Sequence, residues 1–451
     1  MRLLFIVHAF PPDALGGTEI YAHDLAVGLR DRHADEVTIL TREWNKNRPE
    51  GSVRFEERDG LRVALINNTL DACRAYRDTY RNEAVRDAAE TILDEVRPDL
   101  VHFHHIANLS IGIADLLRDR GIPTLYTSQD YWLLCHRGQL FDMDHRRCAR
   151  HEDSACNRCI GFQIALWNAS PLVPMLRRLN EGPSFPGRGL ARKAAFGTAK
   201  ILHRGIEGRV QQQRTEDMRD FTSKIDHFLA PSRTMRKALM SLGVDESKIT
   251  YLTQGIDQSR FRPQDRVDSD RLRVGFLGSL IHSKAPHLLI EAFEGIPTEK
   301  ATLTIYGGIG TYHGDDSYRG QIEALLERPY VNWAGAVPHS EIPGALAAMD
   351  VLVISSVWIE NAPFVIREAF CSGVIVVASD LGGMAEMVAH EKDGLRFEPG
   401  DAADLRRTIL RLIEEPGLVE KLRAGRPEMK TMDQDTDQTR EMYERLLGSG
   451  A

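Results

Sequence analysis

Two successive series of short apolar runs, each run followed by an amphipathic stretch, fill most of this chain. Parallel strands need crossover connections, so an alternation of this kind folds as parallel sheets with helices on both faces. In the first series Leu3–Val7, Val37–Leu40, Leu61–Ile66, Leu100–Phe103, Thr124–Thr127, Phe228–Ala230 and Ile249–Leu252 read as strands. Thr18 is placed to cap a helix with Tyr21, Leu25, Gly28 and Leu29 on one face, and Ala84, Ala88, Ile92 and Val96 line another. The alternation stops at Asp257–Arg271, which holds Pro263 and eight charged residues without periodicity and reads as a linker. It resumes with strands Val274–Leu277, Thr302–Tyr306, Val351–Ser355 and Val374–Ala378 and with helices such as Ala402–Ile413.

The fold class expected is therefore α/β, with two Rossmann-like, doubly wound parallel-sheet domains facing across a cleft. Residues 1–257 form the first domain, 258–272 the linker and 273–430 the second domain. Residues 431–451 hold a last helix with Met442, Tyr443, Leu446 and Leu447 on one face, suited to pack back on the first domain. Ligands of such sheets bind beyond the carboxyl ends of the strands, so two domains in tandem can hold two large substrates face to face.

With 451 residues, each domain can bury its own core, and 27% charged residues suit a globular protein. The formal charge of −8 gives no footprint for nucleic acid. The segment 165–215 departs from that average, with nine Arg or Lys against Glu181 and Glu207. Apolar Leu166, Trp167, Leu172, Met175 and Leu176 are mixed with its arginines, a pattern that binds anionic membrane surfaces when it is not a solvated helical insertion. No apolar run approaches the roughly 18 residues that span a bilayer. Met1–Val7 reads as a buried strand, since Pro11-Pro12-Asp13 follows without a cleavage site. The expected location is the cytoplasm, with peripheral contact at the membrane face through 165–215.

Four of the six cysteines crowd together: Cys135, Cys148, Cys156 and Cys159. In a cytoplasmic chain this spacing points to metal or redox chemistry before disulfides. Four thiolates suit a structural tetrahedral zinc, with His136, His145 and His151 as alternative ligands. Four reduced thiols in a loop is the plainer reading.

The sharpest signal lies between Glu360 and Glu368. Seven residues separate the two carboxylates, strand Val351–Ser355 precedes them, and Pro363 suits a first helical turn. Glu360 then sits just outside a helix whose free amides, near Ala362 and Phe364, face the same space. Glu368 lies a little over one turn further in. Sugar hydroxyls need such acceptors, and a helix N-terminus welcomes a diphosphate.

These residues resemble the Glu-x7-Glu element of the large family four of retaining glycosyltransferases, which adopt the two-domain GT-B fold. Further blocks stand in the family's order: Pro11-Pro12 with Gly16-Gly17-Thr18-Glu19, Leu229-Ala230-Pro231-Ser232, Gln254-Gly255-Ile256-Asp257, and Ser379-Asp380-Leu381-Gly382-Gly383 with Glu386. The resemblance runs from Met1 to about Pro427, apart from the basic insertion. It implies a nucleoside-diphosphate sugar as donor, a glycan or lipid-linked acceptor, and no metal required for catalysis. Glu360 would accept bonds from sugar hydroxyls and Glu368 would hold the ribose. Asn361, Ala362, Pro363 and Phe364 would meet the sugar or phosphate, and Gly16 and Gly17 would admit the diphosphate.

Two positions depart from the family. In Gly278-Ser279-Leu280-Ile281-His282-Ser283-Lys284, Lys284 fits the cation that clamps the diphosphate, but Ser279 stands where an Arg is usual. After strand Thr124–Thr127, Gln129 replaces the His of a His-Asp pair; it donates a hydrogen bond but cannot shuttle a proton. Of His102, His104 and His105, His104 is the candidate to supply an imidazole. Both departures keep one rival in view, a nucleotide-sugar-binding protein without turnover; a second, a sugar-nucleotide epimerase, would share the same two-domain architecture.

Overall fold

The computed structural model describes residues 1–148, 156, 159, 207–261, 269–312 and 315–448. Its first lobe is built on eight strands: β1 (Arg2–Ile6), β2 (Glu36–Glu43), β3 (Val53–Arg58), β4 (Leu61–Asn67), β5 (Leu100–Phe103), β6 (Thr124–Thr127), β7 (His227–Ala230) and β8 (Ile249–Tyr251). They lie in the order β3-β4-β2-β1-β5-β6-β7-β8, parallel except for the β3–β4 hairpin. Helices α1 (Gly17–His33), α2 (Glu83–Val96), α3 (Ile113–Asp119), α4 (Glu207–Ser223) and α5 (Arg233–Leu242) cover it.

β1 shows why these runs carry no polar alternation. Leu4 and Ile6 pack into the core under α2 with Ile92 and Phe103, while Leu3 and Phe5 pack on the other face with Leu25 and Leu29 of α1. Successive side chains of a strand point to opposite faces, so a strand covered on both faces is apolar throughout.

The second lobe has six parallel strands: β9 (Leu272–Leu277), β10 (Ala301–Tyr306), β11 (Val331–Gly335), β12 (Val351–Ile354), β13 (Ile375–Ser379) and β14 (Gly394–Phe397). Their order is β11-β10-β9-β12-β13-β14. Helices α6 (Pro286–Phe293), α7 (Arg319–Leu326), α8 (Ile342–Ala347), α9 (Phe364–Cys371), α10 (Gly382–Met387), α11 (Ala402–Glu414) and α12 (Leu418–Ala424) flank it. The class is α/β with two doubly wound sheets.

The last helix, α13 (Met432–Gly448), returns to the first lobe. Arg32 on α1 pairs with Asp433 at 2.8 Å and Asp437 at 2.7 Å. Gly28 makes room for it, since a Cβ there would stand 2.5 Å from Thr436 Oγ1. Tyr443 reaches beneath the sheet, its hydroxyl 2.7 Å from His102 Nδ1. The chain thus crosses between lobes twice, and the crossings lie side by side: Ile256 and Thr431 form a parallel bridge, and Asp435 accepts from the Gly255 amide at 2.8 Å.

Several sequence expectations need correction. Thr18 does not cap α1; Gly16 is the N-cap, without a side-chain bond, so Thr18 already lies inside the first turn. Pro363 is likewise the N-cap of α9, and Phe364 is its first residue. β9 begins at Leu272, inside the stretch assigned to the linker, of which 262–268 lie outside the described residues. Most of the basic segment, residues 165–206, also lies outside them, and only its end enters α4.

Candidate active site between the lobes

β12 ends at Ile354, and the chain then turns through Ser355–Pro363 before α9 begins. Within this turn Glu360 is buried, and its Oε1 accepts from Ser356 Oγ at 2.8 Å and Trp358 Nε1 at 2.9 Å. The third donor to the same oxygen is Lys284 Nζ, at 3.2 Å, from the 3-10 turn His282–Lys284 after β9. Three donors on one oxygen fix the carboxylate's orientation. They also hold the lysine beside the start of α9, where backbone amides have no intrahelical partner.

The turn is supported from behind by the second glycine pair. Gly383 N donates to Glu360 O at 2.8 Å, and a Cβ on Gly383 would stand 1.4 Å from Asn361 O. Gly382 adopts φ +54, the left-handed region, with its would-be Cβ 2.9 Å from Glu360 O. Two residues without side chains are therefore what lets α10 press against the backbone of the Glu360–Asn361 turn.

Glu368 is buried on α9, and burial raises its carboxyl to about 7 against the lowering effect of Arg260 and Arg367. Arg260, from the 3-10 turn Gln258–Arg260, was not foreseen in the sequence because it fell in an aperiodic charged stretch. It bonds His339 O at 3.2 Å and Nδ1 at 3.0 Å, and it lines the same cavity.

That cavity, of about 560 Å³, lies between the lobes. The first lobe contributes Gly17 and Gln129. The second contributes Ser279, Lys284, the run Glu360–Phe364 and Glu368. Gln129 Oε1 accepts from Gln254 at 2.8 Å, while its buried Nε2 has no partner among the described residues and remains a donor for a ligand. Ser279 is exposed. Gly17 has a reason of its own: a Cβ would stand 2.8 Å from Phe364 Cδ2, because that ring reaches across the gap from α9.

Asn361 is occupied differently from the donor contact expected of it. Its Nδ2 donates to the Ser128 and Gln129 carbonyls, both at 2.9 Å, and its Oδ1 accepts from Ser232 Oγ at 2.7 Å. Glu386 makes a parallel bond, accepting from the Arg233 and Thr234 amides at 2.7 and 2.8 Å and so capping α5 from the opposite lobe. The two side chains hold the lobes together beside the cavity.

Two expected residues lie elsewhere. Gly16 lines a neighbouring cavity on the first lobe. His104 is fully buried against Phe5, His102 and Tyr21, with ring centroids 4.7, 4.1 and 5.8 Å away. Burial lowers it to about 3, so it is neutral, and it lines neither of these two cavities. Of the three histidines, the one that lines a cavity is the buried His105, two residues past the end of β5. The signal that could have found it is position: ligands of parallel sheets sit beyond the strands' carboxyl ends.

The cysteines remain free thiols. Cys148 is pushed up to about 12 by burial and then by the nearby Cys135 and Cys159. Among the described residues, which include all four, no three His, Cys, Asp or Glu side chains form a group able to hold a metal ion. The four thiols expected to hold zinc form no such group among the described residues.

Against this geometry, a family model described as glycosyl transferases group 1 matches residues 257–428, and one described as a glycosyl transferase 4-like domain matches 16–158. The chain belongs to the group 1 glycosyltransferases. It is 29% identical over 158 residues to a 2-deoxystreptamine glucosyltransferase of Streptomyces kanamyceticus, covering 34% of this chain and 39% of that protein. It is 28% identical over 186 residues to a GDP-mannose-dependent alpha-mannosyltransferase of Mycobacterium tuberculosis, covering 39% and 45%. The matches thus span less than half the length of either relative. Among solved structures, HepE of Anabaena in complex with UDP and glucose superposes with a TM-score of 0.65 at 17% identity, over 99% of this chain and 100% of that one. Sucrose-phosphate synthase of Thermosynechococcus elongatus gives 0.68 at 18%, over 99% of both. At such identities the likeness is one of fold, and the fold is GT-B. Among the described residues no helix is long and apolar enough to cross a membrane.

Proposed function

We propose that this group 1 glycosyltransferase moves a hexose-type sugar from a nucleoside diphosphate to a glycan or lipid-linked acceptor, retaining the configuration at the transferred carbon. Synthesis of a bacterial-type surface polysaccharide or glycolipid is the process such a product serves. The observation that carries the reading is the Lys284–Glu360 pair, held at 3.2 Å in the interlobe cavity beside the amino end of α9. A diphosphate laid there meets the lysine and uncompensated amides, and the leaving group's charge is stabilised without a metal. Glu360, its Oε1 already held, presents the remaining oxygen to sugar hydroxyls. Glu368 takes the ribose, with Arg260 nearby adding positive charge that Ser279 lacks. The likeness to a glucosyltransferase and a mannosyltransferase supports a hexose donor.

Thermal-shift screening against UDP-, GDP- and ADP-sugars tests the donor site, and product analysis tests turnover. Lys284→Ala and Glu360→Ala should each lower turnover about 100-fold or more, the scale of removing one preorganised charge-stabilising group. Near-normal turnover in both variants would overturn the assignment. Nucleotide-sugar binding with neither transfer nor slow hydrolysis would favour the rival binding-only reading. A changed sugar on the nucleotide without an acceptor would favour the epimerase. The site of action proposed is the cytoplasm, at the membrane face through 165–215. Flotation with anionic liposomes at low salt tests that, and no binding there would remove the membrane contact. A structural zinc at Cys135, Cys148, Cys156 and Cys159 is tested by metal analysis of the purified protein.

A further inference from the structure

A second cavity, of about 510 Å³, opens on the first lobe and meets the donor cavity at Gly17, Thr18 and Asp130, which line both. Its volume falls within the range of small-molecule sites. Its titratable walls are paired internally. His8 Nε2 lies 3.1 Å from Glu19 Oε1, and His105 Nε2 lies 3.2 Å from Asp130 Oδ1. The two imidazoles lie against each other, ring centroids 4.3 Å apart. The Ala107 amide donates to His105 Nδ1 at 3.1 Å, which puts the ring's proton on Nε2, facing Asp130. Arg137, the one Arg or Lys among the described wall residues, is engaged elsewhere: its Nε donates to Phe141 O at 3.1 Å and its guanidinium lies 4.8 Å from the Tyr312 ring centroid.

Asp130 is the asymmetric member. Oδ1 accepts from both His105 and the Trp132 amide, the latter at 2.8 Å, while Oδ2 accepts from no described residue. Burial would raise this carboxyl, but His105 and the Trp132 amide outweigh burial and hold it low, so it stays an ionised acceptor. Beside it stands the half-buried Trp132 indole, and Tyr76 lies further along the wall. An aromatic face with an ionised hydrogen-bond acceptor suits a ring that carries both C–H and O–H groups. It is hostile to a phosphate, which would meet two carboxylates, Glu19 and Asp130, and no unengaged Arg or Lys among the described residues.

We propose that this second cavity receives the acceptor, that the acceptor presents an uncharged sugar there, and that Asp130 Oδ2 anchors one of that sugar's hydroxyls at the junction with the donor cavity. The proposal rests on the transferase reading and deepens it by naming the acceptor's chemical class. An acceptor linked to a lipid phosphate fits only if the phosphate lies outside the cavity.

The probes are methyl glycosides of the common hexoses and hexosamines and their 6-phosphates, each added to the full chain with the nucleotide sugar that binds. The readout is release of nucleoside diphosphate. Uncharged probes should accelerate release and the phosphorylated forms should not. Asp130→Asn should raise KM for the effective probe by about 10- to 100-fold, the scale of a hydrogen bond to a charged group, and by a larger factor than KM for the nucleotide sugar, whose cavity Asp130 also borders. Trp132→Ala is the second variant and should shift the same constant. Phosphorylated probes that work as well as uncharged ones, an unchanged probe KM in Asp130→Asn, or no stimulation by any uncharged probe would each overturn the proposal. The transferase reading fails separately, through absence of any nucleotide-sugar binding by the wild type.

Discussion

At the scale of single residues, the site sets two buried carboxylates in opposite conditions. Glu360 has three donors on one oxygen, including a lysine. Glu368 sits where burial outweighs Arg260 and Arg367 and its carboxyl rises to about 7. A carboxyl raised on folding favours the folded state when protonated. That stabilisation is complete below the unfolded value of 4.5 and is lost as pH rises through about 7. Glu368→Gln should therefore stabilise the ligand-free protein at pH 8 relative to wild type, by on the order of 1–3 kcal/mol, and do so little at pH 4. Melting temperatures of both proteins across that range check it, and an equal shift at both ends would contradict it. Sequence pattern exposed the positions of both acids because the spacing around a helix start is local. It did not expose Asn361's bonds to the other lobe, nor Arg260's approach, since both depend on how two distant segments meet.

At the scale of elements, every central strand was readable from apolar runs alone. The three strands absent from that reading, β3, β11 and β14, are all edge strands. An edge strand needs no apolar run on both faces: β3 carries Arg54, Glu56, Glu57 and Arg58 and is only half buried. Its signal was the turn, Asp59-Gly60, where both residues take positive φ, +49 and +73, as a two-residue hairpin requires. The α1 cap was misplaced for a related reason: Gly16 has no side chain to advertise a helix start, while Thr18 does. The α10 turn supports a sharper expectation. Gly383→Ala would force its Cβ into Asn361 O, with backbone on both sides and no flexible side chain to give way. It should cost about 2 kcal/mol or more of stability and displace Glu360, so that denaturant midpoint and activity fall together. Loss of neither would show that the turn can retreat.

At the scale of the whole molecule, the lobes are joined by bonds that a changed side chain can remove. Asn361 and Glu386 hold opposite walls of the cavity with hydrogen bonds to Ser232, Ser128, Gln129 and the start of α5. Asn361→Ala with Glu386→Ala should loosen that closure while leaving each lobe's core intact. Small-angle scattering should then report a larger radius of gyration without nucleotide, and KM for the donor should rise about 10-fold. An unchanged radius and KM would show that the remaining contacts suffice. The two-lobe plan was legible because the alternation stops and restarts. The contact between the lobes was not, because no local periodicity records it.

The return of α13 means that the first lobe is not a contiguous piece of polypeptide. One face of its sheet is covered in part by a helix made after the entire second lobe, and Phe5, Leu25 and Leu29 share a core with Met442 and Tyr443. During synthesis the first lobe must therefore wait, one apolar face only partly covered, until residues 432–448 emerge. A fragment ending at residue 257 should be poorly soluble when expressed by itself, and co-expression of a peptide spanning 430–448 should rescue it.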